Sequence, residues 1–143
     1  MAFTIAQPLL GPVVVLNLWT LVMEVWMYAL RIPAISKYGV KIDPVATKEE
    51  LNAKIPRRLQ FPADNYNHLM EQPTQFYAVT LALAMLGDDS SLTFGLAWGY
   101  VGLRVVHSLV QATTNPILLR LQIFVSSSLV LLGLTARAAM MIF

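Results

Sequence analysis

Eight polar residues on otherwise apolar stretches have types and spacings that could do chemistry. Asn67, His68 and Glu71 open one stretch, and Arg104, His107 and Gln111 recur at i, i+3 and i+7 along another. Arg31 ends a first stretch and Arg120 begins a last. Arginine grips carboxylates through a rigid two-pronged fork. A cation beside a thiol favours the thiolate, which is its reactive form. Glu71 is suited to accept hydrogen bonds from a ligand amine or amide. Together these groups suit an anionic or zwitterionic ligand. Metal binding is a weaker reading, because His68 and Glu71 form a pair with no third and fourth ligand at helical spacing. The chain carries no Ser-His-Asp arrangement, no phosphate-cradling glycine loop and no nucleotide fingerprint.

What must position these residues is a set of membrane helices. Of 143 residues, 57% are hydrophobic and 13% charged, and the mean hydropathy is +0.61. An ordinary soluble domain is about 45–50% apolar and about 25% charged. The length gives room for one domain. A net charge of +2 with no basic stripe offers nothing to nucleic acid. With no cysteine, disulfides, Cys-ligated metals and a protein thiol nucleophile are excluded, so any thiol chemistry takes its sulfur from a substrate. No Lys or Arg precedes the first apolar run, which argues against a cleaved signal peptide.

The pattern predicts an all-α, integral membrane four-helix bundle, with helices over 9–32, 65–86, 91–112 and 116–142. About 20 residues cross a ~30 Å hydrocarbon core. Pro33 is expected to end the first helix. The connection 33–64 holds six of the ten basic residues, which predicts a cytoplasmic loop with both termini on the opposite side. Thr47-Lys-Glu-Glu50 reads as a capping box and a short surface helix. Asp64 or Asn65 is expected to cap the second helix, and Pro73 to kink it just after Glu71. That helix places Asn67, Glu71 and Thr74 or Gln75 on one face. Gly95, Gly99 and Gly102 make a small-residue stripe of the kind used for close helix contact. Asn115 and Pro116 are a helix start. Ser126–Ser128 read as packing between helices.

In this topology Arg31, Asn67, His68, Glu71, Arg104, His107 and Arg120 fall at one level of the membrane. Four helices feeding one polar layer is a stronger signal than any single residue, because polar groups at membrane depth are costly and usually mark a site. Glu24 lies deeper, and Arg137 lies near the other face.

At these residues the chain resembles a known family. Arg57-Arg58, the run from Ala63 through Asn67, His68 and Glu71 to Tyr77, the Tyr100…Arg104…His107 stretch, and Asn115-Pro116 with Arg120 are together similar to the bacterial branch of MAPEG, the membrane-associated proteins in eicosanoid and glutathione metabolism. The resemblance spans essentially the whole chain. It implies a homotrimer of four-helix bundles in the bilayer (the inner membrane for a bacterial member). It further implies glutathione as co-substrate, bound between subunits near the cytoplasmic face, and a lipophilic small-molecule substrate. By resemblance, Arg31, Asn67, His68, Glu71, Arg104 and His107 fall at glutathione-binding positions, and Arg120 with Arg104 at the catalytic ones, with Arg120 stabilising the thiolate. The implied activity is that of a glutathione-dependent transferase or peroxidase acting on lipophilic electrophiles. Gln111 stands where a tyrosine is common in the family.

Two other functions fit parts of the pattern. A small proton-coupled multidrug exporter would use Glu24 as its membrane carboxylate. A non-catalytic trimer would use the same polar layer to bind a lipid or a partner.

Overall fold

The computed structural model describes residues 7–41 and 43–143. Among these described residues six α-helices follow a 3-10 turn at Gln7–Leu9: α1 (Leu10–Lys37), α2 (Lys48–Asn52), α3 (Arg57–Leu69), α4 (Pro73–Met85), α5 (Ser91–Thr113) and α6 (Ile117–Ile142). There is no strand among the described residues. The helices form an antiparallel bundle: α1 packs on α3, α4 and α5, and α6 packs on α4 and α5. α1 and α6 are long and apolar enough to cross a membrane, with mean hydropathies of 1.7 and 2.0.

Three helix ends differ from the sequence expectation, each for a local reason. α1 does not stop at Pro33 but runs four residues further, to Lys37. A proline inside a helix removes one N–H and can leave the rest of the ladder standing. The stop comes at Gly39, whose φ of +59° is the left-handed conformation glycine adopts without penalty. The second apolar segment, expected as one helix over 65–86, is two. α3 begins at Arg57, so Asp64 and Asn65 are mid-helix residues and cap nothing. The chain then leaves the helix at Met70–Gln72 and restarts with Pro73 in the first turn of α4. Proline suits a helix start because the N–H it lacks would have no partner there. Finally, Asn115 has φ of +56°, and Pro116 occupies the cap position of α6.

The connection between α1 and α3 is tethered at several points. Thr47 and Glu50 form both halves of a capping box, with Glu50 N–H donating to Thr47 Oγ1 at 3.2 Å and Thr47 N–H to Glu50 Oε2 at 2.7 Å. Gln60 Nε2 donates to the carbonyls of Asn52 and Ile55 at 3.1 and 2.7 Å. Arg31 Nη2 reaches across from α1 to Asn52 Oδ1 at 2.9 Å.

The core is apolar and continuous. Leu16, Phe76, Leu83, Tyr100, Leu131 and Leu134 are buried together, and the rings of Phe76 and Tyr100 stack at 4.4 Å. A smaller cluster of Met23, Leu69 and Ala112 continues it toward the loop end. The outward faces of α1 and α6 are apolar, with Val25 and Ile32 on one and Ile117, Leu118, Leu129 and Leu132 on the other all well exposed. In water such a surface would drive aggregation; in a bilayer it meets lipid or a second copy. The Gly95/Gly99/Gly102 stripe makes no close helix contact among the described residues, since a Cβ at any of the three would meet nothing within 4 Å.

At the far end of the bundle, Asp88 is buried in the α4–α5 turn. Arg137 of α6 grips it with Nε at 2.9 Å and Nη2 at 3.1 Å. Thr93 Oγ1 donates to the same carboxylate at 2.7 Å, and the Ser90 N–H at 3.1 Å. This four-donor cradle locks the turn to the end of α6.

Candidate functional site

The site is built where α3, α5 and α6 meet. On α5, residues three and four apart share a face, and the face carrying Arg104, His107, Ser108 and Gln111 points inward: all four are buried. Arg104 is 0% exposed. Its Nη2 donates to the main-chain carbonyl of His68 at 3.2 Å. That carbonyl sits in the last turn of α3, just ahead of the break at residues 70–72, where helix carbonyls lack their usual partners. Arg104 Nε and Nη1 have no partner among the described residues.

Three rings cluster beside Arg104. His68 and His107 lie 5.0 Å apart between centroids, and Phe124 of α6 is 5.3 Å from His68 and 6.3 Å from His107. The Arg104 guanidinium carbon is 5.7 Å from the Phe124 centroid. Outside these rings lies a cleft of about 240 Å³ lined by His68, His107, Ile117, Arg120, Leu121 and Phe124. Arg120 donates from Nη1 to Asn115 Oδ1, while its buried Nε has no partner. His107 Nδ1 is likewise unpartnered. The cleft therefore has a polar wall rich in N–H groups and an apolar wall facing outward.

The structure thus brings together His68, Arg104, His107 and Arg120 from three helices. It places the other expected residues differently. Asn67 is exposed on the outer face of α3. Glu71 is exposed in the break and makes no ion pair with Arg104; it accepts from His68 Nδ1 at 2.8 Å instead. Arg31 is directed to Asn52 and does not line the cleft. The anticipated Asn67–Glu71–Gln75 face survives only as a row of exposed residues, because the break at 70–72 interrupts the helical phase that would have aligned it. Glu24 is half-buried on α1 and does not line the cleft. No group of three or more metal-ligating side chains occurs among the described residues.

Three contributors were not legible as such in the sequence. Asn65 is fully buried, with Nδ2 donating to Gln111 Oε1 at 2.8 Å. Gln72, in the break, donates to Ser128 Oγ at 2.7 Å and accepts from Tyr100 Oη at 3.2 Å. Ser128 is thus a partner of Gln72 as well as a packing residue. Phe124 is the third. A polar residue beside a proline inside an apolar run was the available signal for Gln72; a phenylalanine on a lipid-compatible helix gave none for Phe124.

The Asn65–Gln111 bond pins α3 to α5 beneath the cleft. Asn65→Ala is expected to lower stability by about 1–3 kcal/mol, since it strands a buried Gln111 acceptor. Thermal melts of the single and double alanine variants at 65 and 111 check this, with a coupling of about 0.5–3 kcal/mol for residues in contact.

Comparison with known proteins follows the same lines. No curated protein and no solved structure matches the chain. The model of the MAPEG family matches residues 9–140, nearly its whole length.

Proposed function

The chain belongs to the MAPEG family, and from that premise we propose that it is a glutathione-dependent transferase or peroxidase acting on lipophilic electrophiles in the membrane. The observation that carries this reading is the surplus of idle cationic donors at the cleft. Arg104 Nε and Nη1 and Arg120 Nε lack acceptors among the described residues, and Glu71, the carboxylate in the break between α3 and α4, is turned to His68. Burying a cation without a partner is costly, and an anionic ligand is the natural remedy. Glutathione has two carboxylates and a thiol, so it meets both the arginine fork and the thiolate-favouring field.

In this reading Arg104 holds a glutathione carboxylate, and Arg120 at the cleft mouth stabilises the thiolate. The thiolate attacks the electrophilic carbon of an acceptor, a carbon–sulfur bond forms, and the leaving group departs with its electron pair. The acceptor enters from lipid along Ile117 and Leu121. A cleft of about 240 Å³ is small beside the 300–1,000 Å³ typical of ligand sites. A second copy completing the wall accounts for this, in a trimer with the site between subunits. It also gives exposed Asn67 and Glu71, and Arg31 at the loop end, a ligand to meet.

The test is glutathione titration by calorimetry on detergent-purified protein, with conjugation of 1-chloro-2,4-dinitrobenzene as the turnover assay. Saturable binding at or below about 1 mM, the upper end of ordinary KM values, together with thioether formation is the expected result. Intact protein that binds no glutathione at that concentration sinks the reading.

A further inference from the structure

The buried arginine and the cleft are close, yet not connected. Arg104 is absent from the residues that line the cleft. Phe124 touches both: it lines the cleft, and its ring centroid is 5.7 Å from the guanidinium carbon. His68 and His107 pack about that ring, with centroids 5.0–6.3 Å apart. Of these rings, His68 is held by a hydrogen bond, to Glu71, and Phe124 has no polar atom by which to be held. Its neighbours on the cleft side, Ile117 and Leu121, are 79% and 54% exposed. On the cleft side no other described part of the chain covers these neighbours, and on the other side the ring is backed by a charged group.

We infer that Phe124 decides access to Arg104: its ring divides the cleft from the guanidinium, and its outward rotation admits a ligand carboxylate to Nε and Nη1. This rests on the reading of the cleft as an anion site. A rotamer change at half-buried Phe124 needs no movement of α6 itself, whose backbone in this turn is tied by the Ser127 and Ser128 hydroxyls donating to the Phe124 carbonyl at 2.8 and 2.9 Å. The gate selects by shape. A slender carboxylate can pass beside the ring, while a ligand whose charge sits next to bulky substituents stays in the outer cleft with Arg120.

Phenylglyoxal, an apolar dicarbonyl that modifies accessible guanidinium groups, reads the gate directly. The full-length protein in detergent is labelled over time, and each arginine-containing peptide is followed by mass spectrometry, with exposed Arg58 as internal reference. In the unaltered protein Arg104 should react at least about tenfold more slowly than Arg58, as a group reached only by local opening does. Phe124→Ala should raise the Arg104 rate at least about tenfold and leave Arg58 unchanged, and Phe124→Trp should keep it slow. Phe124→Leu, which preserves more of the packing, should give a smaller rise and serves if the alanine variant does not fold. Arg104 reacting as fast as Arg58 in the unaltered protein overturns the inference, as does a rate that neither the alanine nor the leucine variant raises. Glutathione takes no part in the assay, so the gate and the glutathione reading fail separately.

Discussion

Arg104→Met is expected to weaken glutathione binding roughly ten- to hundredfold while leaving the protein as stable as before, or more so. The two halves have different origins. Hydrogen bonds to a charged group contribute about 1.5–3 kcal/mol, which sets the loss of affinity. Stability moves the other way because the guanidinium is fully buried, spends one bond on the His68 carbonyl and leaves Nε and Nη1 idle. Exchanging buried charge for an apolar side chain of similar volume is often neutral or stabilising by about 1–4 kcal/mol. Methionine's flexible chain fits the space an arginine stem vacates. Glutathione titration and thermal melting of the same preparation measure the two effects. A variant that loses binding and melting temperature together would show Arg104 to be a packing residue first.

The second large effect lies at the opposite end of the bundle. Arg137→Ala leaves Asp88 buried with only the Thr93 hydroxyl and Ser90 N–H as donors. Breaking a buried pair by removing one partner is destabilising because it leaves a buried charge short of donors; the two remaining donors and the partial exposure of Arg137 (39%) moderate the loss, which a lowered melting temperature reads. The Arg137 hydrogen bonds, ahead of those from Thr93 and Ser90, hold the Asp88 carboxyl down to about 2 against the pull of burial. An unfolded aspartate titrates near 3.9, so the folded state binds its proton less readily. The stabilisation is thus fully present above about pH 4 and is lost as pH falls toward 2. Thermal melts from neutral pH downward should show a drop in that window that is smaller in Arg137→Ala. Equal acid sensitivity in the two proteins would remove Asp88 from the account.

Much of this protein is legible in its residues alone. Long apolar runs with few charges leave little alternative to membrane helices, because in lipid every backbone group must be satisfied within its own segment. The same argument exposes Arg104, His107 and Arg120, since ionisable residues at that depth are rare enough to be conspicuous. Family membership, too, is carried by sequence pattern.

The tertiary structure decides which side of each helix those residues serve. A helix turns about 100° per residue, so a break of three residues at Met70–Gln72 resets the phase between α3 and α4. That reset turns Gln72 into the bundle, where it joins α5 and α6, and leaves Glu71 outside. On α3 the asparagine that enters the core is Asn65, not Asn67, because Gln111 waits there. Nothing local to residue 88 or residue 137 announces their pairing; it depends on how far α6 extends before it meets the α4–α5 turn. Phe124 is the extreme case. As a residue it is one more apolar side chain on a membrane helix, and its contact with both the cleft and Arg104 exists only through the packing of α6 against α5. Chain composition and periodicity determine what each segment can bury; the register between segments, a long-range property, determines what it does bury.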